Sequence, residues 1–350
     1  MLAADSNVAS GPISEGLEAK SAASWKQIIG PVEPFLEAVS ERLLKQVTSF
    51  EPELVPYAEY ALNGQGKHLR PALVALTANA VGKTSDSHVT VAVIIEMVHL
   101  ATLVHDDVMD EAEIRRGQLT LAANWGNEIA VLFGDCLFAQ ALKLAASFPT
   151  PEICRSVAMA TNTVCSGEIL QTQHRGDFQL TRDKYFRMLE MKTAELFALS
   201  CELSACLGGT GVQDRKALRQ FGLAFGTAYQ VYDDCVDLFG SEAAAGKSLG
   251  TDLAKGKLTL PVLLAWERAG APDRALLRDL IKDWQNGAMK QMTDVLSKYE
   301  TLGASVEIVH QYLQNARHIL QVLAPSNGRA GLLGLTDYLA HQTDALGGCA

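Results

Sequence analysis

The sequence predicts an all-α protein built as a single large helical bundle, on three observations. Hydrophobic residues make up 48% of the 350 residues but aromatics only 7%, and the apolar set is dominated by Ala, Leu and Val, which leans towards helix. From Trp25 onward apolar residues recur at i, i+3 and i+4, the period of a helix buried on one face. No segment alternates polar and apolar residues over a convincing strand length. The breaks divide the chain into roughly a dozen helices.

The first 24 residues are rich in Ser, Ala and Gly, with Asp5, Glu15 and Glu18 against Lys20. With neither an apolar run nor an arginine bias, they are expected to be a mobile tail rather than a leader peptide. Residues 25–350 are expected to form one domain. Phe35, Leu36, Val39, Leu43, Leu44 and Val47 mark one stripe over Pro31–Phe50, which Glu51-Pro52 ends. A shorter helix runs to Leu62, and Asn63-Gly64-Gln65-Gly66 makes a loop. Pro71 fits the first turn of the next helix, to Val81. A long apolar helix from about Val89 reaches Asp106, Asp107 and Asp110. Beyond Arg115-Arg116-Gly117 come an apolar helix Ile129–Ser147, stopped by Pro149-Thr150-Pro151, and another from Ile153 to about His174. Thr181 is expected to cap one long helix to Leu207, ended by Gly208-Gly209. The helix from Gln213 to about Phe239 carries Asp233, Asp234 and Asp237. A loop with Lys247, Lys255 and Lys257 follows. In the remainder Trp266, Trp284 and Leu332–Leu339 read as packing.

Asp106 and Asp110 are four residues apart, so their carboxylates share one helix face. Acid at a helix C-terminus opposes the dipole and calls for a cation. Oxygen ligands without cysteine suit Mg²⁺, which keeps waters and takes one or two carboxylates plus substrate phosphates. Cations come from four other places. Lys67 and Arg70 flank a helix start, where backbone N–H groups favour an anion. Arg115 and Arg116 offer planar donors for phosphate. Lys192 and the loop with Lys247 and Lys257 complete the set. Taken singly, each motif has a bland reading: a solvated helix end, a surface loop, a snorkelling lysine, or, for His99, a satisfied histidine. Taken together, in a chain of net charge −10, acid and base argue for a metal-bridged polyphosphate ligand and against non-specific nucleic-acid binding. No Ser-His-Asp or Cys-His arrangement stands out. Seven cysteines without a CxxC pair fit free thiols in a reducing compartment, with the cytoplasm as the expected location. No uncharged apolar run reaches membrane-spanning length, so no transmembrane helix is expected.

Six segments, in order, resemble the trans-isoprenyl diphosphate synthase family: GQGKHLRP, HDDVMD, RRGQLT, MKTAELF, YQVYDDCVD and GTDLAKGKLTLP. The resemblance extends from about Val32 into the C-terminal region. It implies a helical bundle around a central cavity and condensation of isopentenyl diphosphate with an allylic diphosphate. Asp106, Asp107, Asp110, Asp233 and Asp237 would hold Mg²⁺, with Asp234 in support. Arg115, Lys192, Lys257 and Lys247 would contact the allylic diphosphate. Lys67, Arg70, His99 and Arg116 would hold isopentenyl diphosphate, and Thr193 and Gln230, with Gln171 as a further candidate, would place the reacting carbons. The implied assembly is a homodimer, with a transient membrane contact at product release. Gln65 and His68 depart from the family's pattern without removing a ligand.

Product length follows from the helix below the first aspartates. Ala101 and Thr102, where the family's floor residues stand, are small, and Met97 and Val98 lie one turn deeper. A product of hexaprenyl class or longer is expected rather than a farnesyl or geranylgeranyl chain, unless Phe138 or Leu142 closes the tunnel earlier. A class I terpene cyclase is disfavoured by Asp233-Asp234-Asp237 and by Lys67/Arg70. An HD-type phosphohydrolase using His105-Asp106 leaves the second aspartate cluster unexplained. A silent subunit would not be expected to keep both clusters.

Overall fold

The computed structural model describes residues 24–62, 66, 68–115, 117–241, 249–284 and 288–347. Lys67, Arg116 and Lys247 lie outside the described residues. The helices are α1 (Trp25–Ile29), α2 (Glu33–Lys45), α3 (Val55–Leu62), α4 (Leu69–Val81), α5 (Asp86–Met109), α6 (Leu121–Trp125), α7 (Asn127–Ala146), α8 (Pro151–Gln173) and α9 (Arg182–Leu189). Then come α10 (Glu195–Leu207), α11 (Val212–Phe239), α12 (Thr251–Ala254), α13 (Leu260–Arg268), α14 (Ala271–Lys282), α15 (Ala288–Lys298), α16 (Thr301–Ile319) and α17 (Asn327–Gly347).

α5 is the central helix. Val91 to Val98 is buried on every side, Glu96 included, as expected of a helix apolar all round. Its start is fixed by a reciprocal cap in which His88 Nδ1 meets the Ser85 N–H and hydroxyl at 3.2 and 2.7 Å. α4 and α7 pack on it, and α10 joins it to α11. The α10–α11 contact depends on two glycines. A Cβ at Gly222 would lie 2.6 Å from the Ala198 Cα, and one at Gly226 would lie 2.8 Å from the Ala194 Cα. α16 covers the other side of α11, and α17 covers α4.

The structure corrects three expectations. The stripe over Pro31–Phe50 is one α-helix, α2, bounded by 3₁₀ turns at Gly30–Val32 and Gln46–Ser49. The helix expected from Thr181 to Leu207 is interrupted by a π turn, Glu190–Ala194. A two-residue antiparallel hairpin, Ile114–Arg115 with Gln118–Leu119, follows the first aspartates; its Gly117 has φ 77°, a conformation that glycine adopts without strain.

Two helices are long and apolar enough to cross a membrane by length and composition. α5, at mean hydropathy 1.7, lies mostly inside the protein. α7, at 1.6, is less covered and exposes Val131 and Leu132.

The acidic ends of α5 and α11 lie at the same end of the bundle. One short segment touches both: the Asp252 N–H donates to Asp237 Oδ2 at 3.1 Å, and Lys257 Nζ donates to Asp110 Oδ2 at 2.8 Å. Five residues of chain span at most about 18 Å, so the two clusters face one cleft.

Candidate active site

Each aspartate has a distinct environment. Asp107 points inward, is 6% exposed and accepts from Arg115 Nε at 2.8 and 3.0 Å. Arg115 Nη2 adds a contact at 2.7 Å. The hairpin therefore folds Arg115 back onto the helix that precedes it. Burial alone would lower the arginine's pKa, but the bond to Asp107 raises it overall. Asp110, at the end of α5, is ringed by Arg175 at 2.8 Å, Lys257 at 2.8 Å and Lys255 at 3.2 Å. Burial pushes its carboxyl up, yet Lys257 and Lys255 hold it below the usual range. Asp106 lies on the same face with less compensation. Burial pushes it up to about 6 although Lys192 and Lys257 pull it down. Its nearest cation, Lys192 Nζ, stands at 3.7 Å.

Lys192 sits in the π turn, and the turn explains its position. One extra residue in the helix re-aims consecutive side chains, so Lys192 and Thr193 line the same cavity. Gly167 of α8 lets the turn come close: a Cβ there would be 2.6 Å from the Lys192 backbone nitrogen. Next to it, Glu168 pairs with Lys192, and Gln171 Oε1 accepts from Lys192 Nζ at 2.8 Å. The opposing carboxylates raise the lysine's pKa against burial, so it stays charged.

On α11 the expected ligands separate into different roles. Asp237 is fully buried and caps α12: its Oδ1 accepts from the Thr251 hydroxyl at 2.8 Å and its Oδ2 from the Asp252 N–H. Asp234 is 3% exposed. Its Oδ1 accepts from Gln230 Nε2 at 2.8 Å and its Oδ2 from the Tyr185 hydroxyl at 2.5 Å. Burial and the facing Asp252 push Asp234 up, while those two donated bonds pull the other way. Gln230 Oε1 in turn accepts from Thr193 Oγ1 at 3.0 Å. Asp233, on the same turn, is half-buried.

Two cavities meet at Lys192. The smaller, about 70 Å³, is lined by polar and apolar surface in about equal part, with Lys192, Thr193, Gln230, Asp234, Asp252 and Lys257 among the polar residues. The larger, about 450 Å³, runs between α5, α7 and α8. Its upper wall holds Asp106, Glu168 and Lys192; lower down come Thr102, Phe138 and Val164. Phe138 meets the His105 ring edge-on at 5.6 Å. Thr102 lines this cavity, whereas Ala101, Met97 and Val98 are buried in the core and are not among its lining residues. Arg70 stacks its guanidinium 4.7 Å from the Phe197 ring centroid. His68, two residues before it, approaches Glu96 at 3.6 Å, which brings the start of α4 within one turn of His99.

The donor set fits a hard divalent ion. Its donors are carboxylate oxygens, and the half-buried Asp106 shares one face of α5 with Asp110. Among the described residues no group of three or more acidic, His or Cys side chains is placed to hold a metal ion by itself; an ion held here would keep waters and take phosphate oxygens. Sequence reasoning missed Glu168, Arg175, Tyr185 and Lys255. Glu168 stands three residues before Gln171, one helical turn from it, and Lys255 two residues before Lys257, in the same loop; Arg175 and Tyr185 meet carboxylates 65 and 49 residues away in sequence.

A polyprenyl synthetase family model matches residues 51–299. Octaprenyl diphosphate synthase of Escherichia coli (strain K12) is 33% identical over 311 residues, 88% of this chain and 96% of that protein. Nonaprenyl diphosphate synthase of Mycobacterium tuberculosis is 35% identical over 286 residues, 80% of this chain and 84% of that protein. Among solved structures, a decaprenyl diphosphate synthase from Rhodobacter capsulatus superposes with TM-score 0.85 at 31% identity, covering 91% of this chain and 99% of that one. A polyprenyl synthase from Caulobacter crescentus CB15, complexed with calcium and isoprenyl diphosphate, gives 0.86 at 30% identity, covering 92% and 98%.

Proposed function

Since the chain belongs to the polyprenyl synthetase family, we propose that its cleft condenses isopentenyl diphosphate with an allylic diphosphate to give an all-trans polyprenyl diphosphate of hexaprenyl class or longer. The observation that carries this is the position of Lys192, which lines both a head compartment that also carries Lys257 and a larger, mainly apolar cavity. A diphosphate with a hydrocarbon tail matches both halves.

The roles divide as follows. Asp106, Asp110 and Asp233 are the carboxylates for Mg²⁺, which supplies charge neutralisation to the departing diphosphate. Asp107, Asp234 and Asp237 act one step behind, holding Arg115, Gln230 and the Lys257 segment in place. Lys192, Lys257 and Arg115 hold the allylic diphosphate, with Arg175 and Lys255 added to the expected set. Arg70 and His99 hold isopentenyl diphosphate; Lys67, Arg116 and Lys247, outside the described residues, keep the roles that the resemblance implies. Thr193 and Gln230 face the reacting carbons, and the apolar walls exclude water from the cation. Donors fixed in advance where charge develops need no reorganisation during reaction.

Residues 25–350 act as one domain in this reading. The exposed apolar residues Val131 and Leu132 on α7 and Met159 and Ile169 on α8 support a homodimer that covers them. The free thiols among the described cysteines support a reducing, cytoplasmic location.

The test is incubation with isopentenyl diphosphate, farnesyl diphosphate and Mg²⁺, followed by mass analysis, with chelator as control. Chain growth to six or more prenyl units, abolished by chelator, is expected. Phosphate release without growth, or a cyclised hydrocarbon, refutes the reading.

A further inference from the structure

Tyr185 touches none of the residues assigned to substrate, yet it is wholly buried in the wall of the head compartment. Its phenol donates to Asp234 Oδ2 at 2.5 Å. Asp234 uses its other oxygen to accept from Gln230 Nε2 at 2.8 Å. An amide that donates at one end accepts at the other, so Gln230 presents its carbonyl to Thr193, whose hydroxyl donates to it at 3.0 Å.

These bonds run in one direction. The Thr193 proton is committed to Gln230, so on its cavity side the Thr193 oxygen offers only lone pairs. A lone pair fixed beside a developing allylic cation stabilises it, and a hydroxyl proton in its place would repel it. Gln230 alone could sit either way round; the acceptor at Asp234 decides between the two orientations. Tyr185 is the donor that keeps Asp234 Oδ2 occupied.

We propose that Tyr185 is a positioning residue for the condensation: through Asp234 it fixes the Gln230 amide so that Thr193 turns its lone pairs toward the reacting carbons. This rests on the function proposed above.

The experiment compares wild type, Tyr185→Phe, Asp234→Asn, Gln230→Leu and the two doubles made with Gln230→Leu. Steady-state kinetics with both substrates are measured beside thermal unfolding. Tyr185→Phe should lower kcat at least tenfold while leaving both KM values within about twofold. In the Gln230→Leu background the same change should cost less than twofold more, because nothing remains for Tyr185 to orient. A merely structural tyrosine would give independent losses in the two backgrounds. Should Tyr185→Phe not fold, Asp234→Asn carries the same comparison with the tyrosine in place. The inference is overturned by kcat within twofold of wild type in Tyr185→Phe, or by losses that multiply with Gln230→Leu. A wild-type chain that does not elongate overturns the function and this inference with it; an active wild type with an indifferent Tyr185→Phe overturns the inference alone.

Discussion

Thr102→Phe and Ala101→Phe, adjacent on α5 and both within the turn below Asp106, are expected to behave differently. Thr102 lines the apolar cavity, and Ala101 is fully buried in the core beside it. A prenyl unit has five carbons, and burying each is worth about 0.8 kcal/mol. A tail that loses room for one unit therefore forfeits roughly 4 kcal/mol, close to a thousandfold in an equilibrium at about 1.4 kcal/mol per tenfold. A phenyl ring at position 102 enters a cavity of about 450 Å³ just beneath the reacting head. The product spectrum should collapse to short chains while kcat for the first condensation stays within a few-fold. Ala101→Phe instead overpacks the core at a cost of about 1–3 kcal/mol, lowering the melting temperature with little change in product length. Chain lengths are read by mass analysis of the diphosphates and stability by thermal unfolding. Unchanged products from Thr102→Phe, with short products from a normally stable Ala101→Phe, would refute this assignment of the cavity wall.

Three further outcomes follow from other parts of the molecule. Lys257→Ala removes one of the cations on Asp110 and should raise the KM for the allylic diphosphate at least tenfold; an unchanged KM would remove Lys257 from the head compartment. His88 is 2% exposed, and burial holds its pKa below the usual 6.5 although the Ser204 carbonyl opposes this. The neutral ring is favoured in the folded state, so its contribution is complete above about pH 6.5 and is lost as pH falls from there toward the depressed folded value. Melting temperature should decline on acidification through that window, and His88→Phe should flatten the decline. Gly222→Ala places a Cβ 2.6 Å from both the Ala198 Cα and the Phe197 carbonyl oxygen, which should destabilise the protein by about 1–3 kcal/mol; a melting temperature equal to wild type would show that α10 and α11 separate easily.

Much of the fold was legible because helical periodicity is local. The stripe ending at Asp106–Asp110 places α5, and the proline breaks place α7 and α8 within two residues at each end. The π turn was not legible. Its apolar spacing reads as one continuous helix, and the extra residue is stabilised by α8 approaching at Gly167, a contact between segments distant in sequence. The aspartate clusters were visible as chemistry, but not their division of labour. Asp233-Asp234-Asp237 reads as a match to Asp106-Asp107-Asp110, yet Asp237 is spent on capping α12 and Asp234 on Tyr185 and Gln230. Such roles depend on what folding brings against each carboxylate. For the same reason Arg175 gave no signal: it meets Asp110 only once the end of α8 closes on the Lys257 segment, where the Gly176 N–H donates to the Gly256 carbonyl at 2.7 Å.

The π turn also constrains how this region can change. Ordinary α-helix advances about 100° per residue, so α9 and α10 stand out of phase by the one residue inserted between them. Substitutions on either helix leave that offset alone. A single deletion anywhere between Tyr185 and Lys192 would restore a smooth helix, which local propensity favours, and would swing Tyr185 about a quarter turn away from Asp234. Length, more than residue identity, is what this segment must preserve, and an insertion or deletion here should be far more damaging than any of the point changes that surround it.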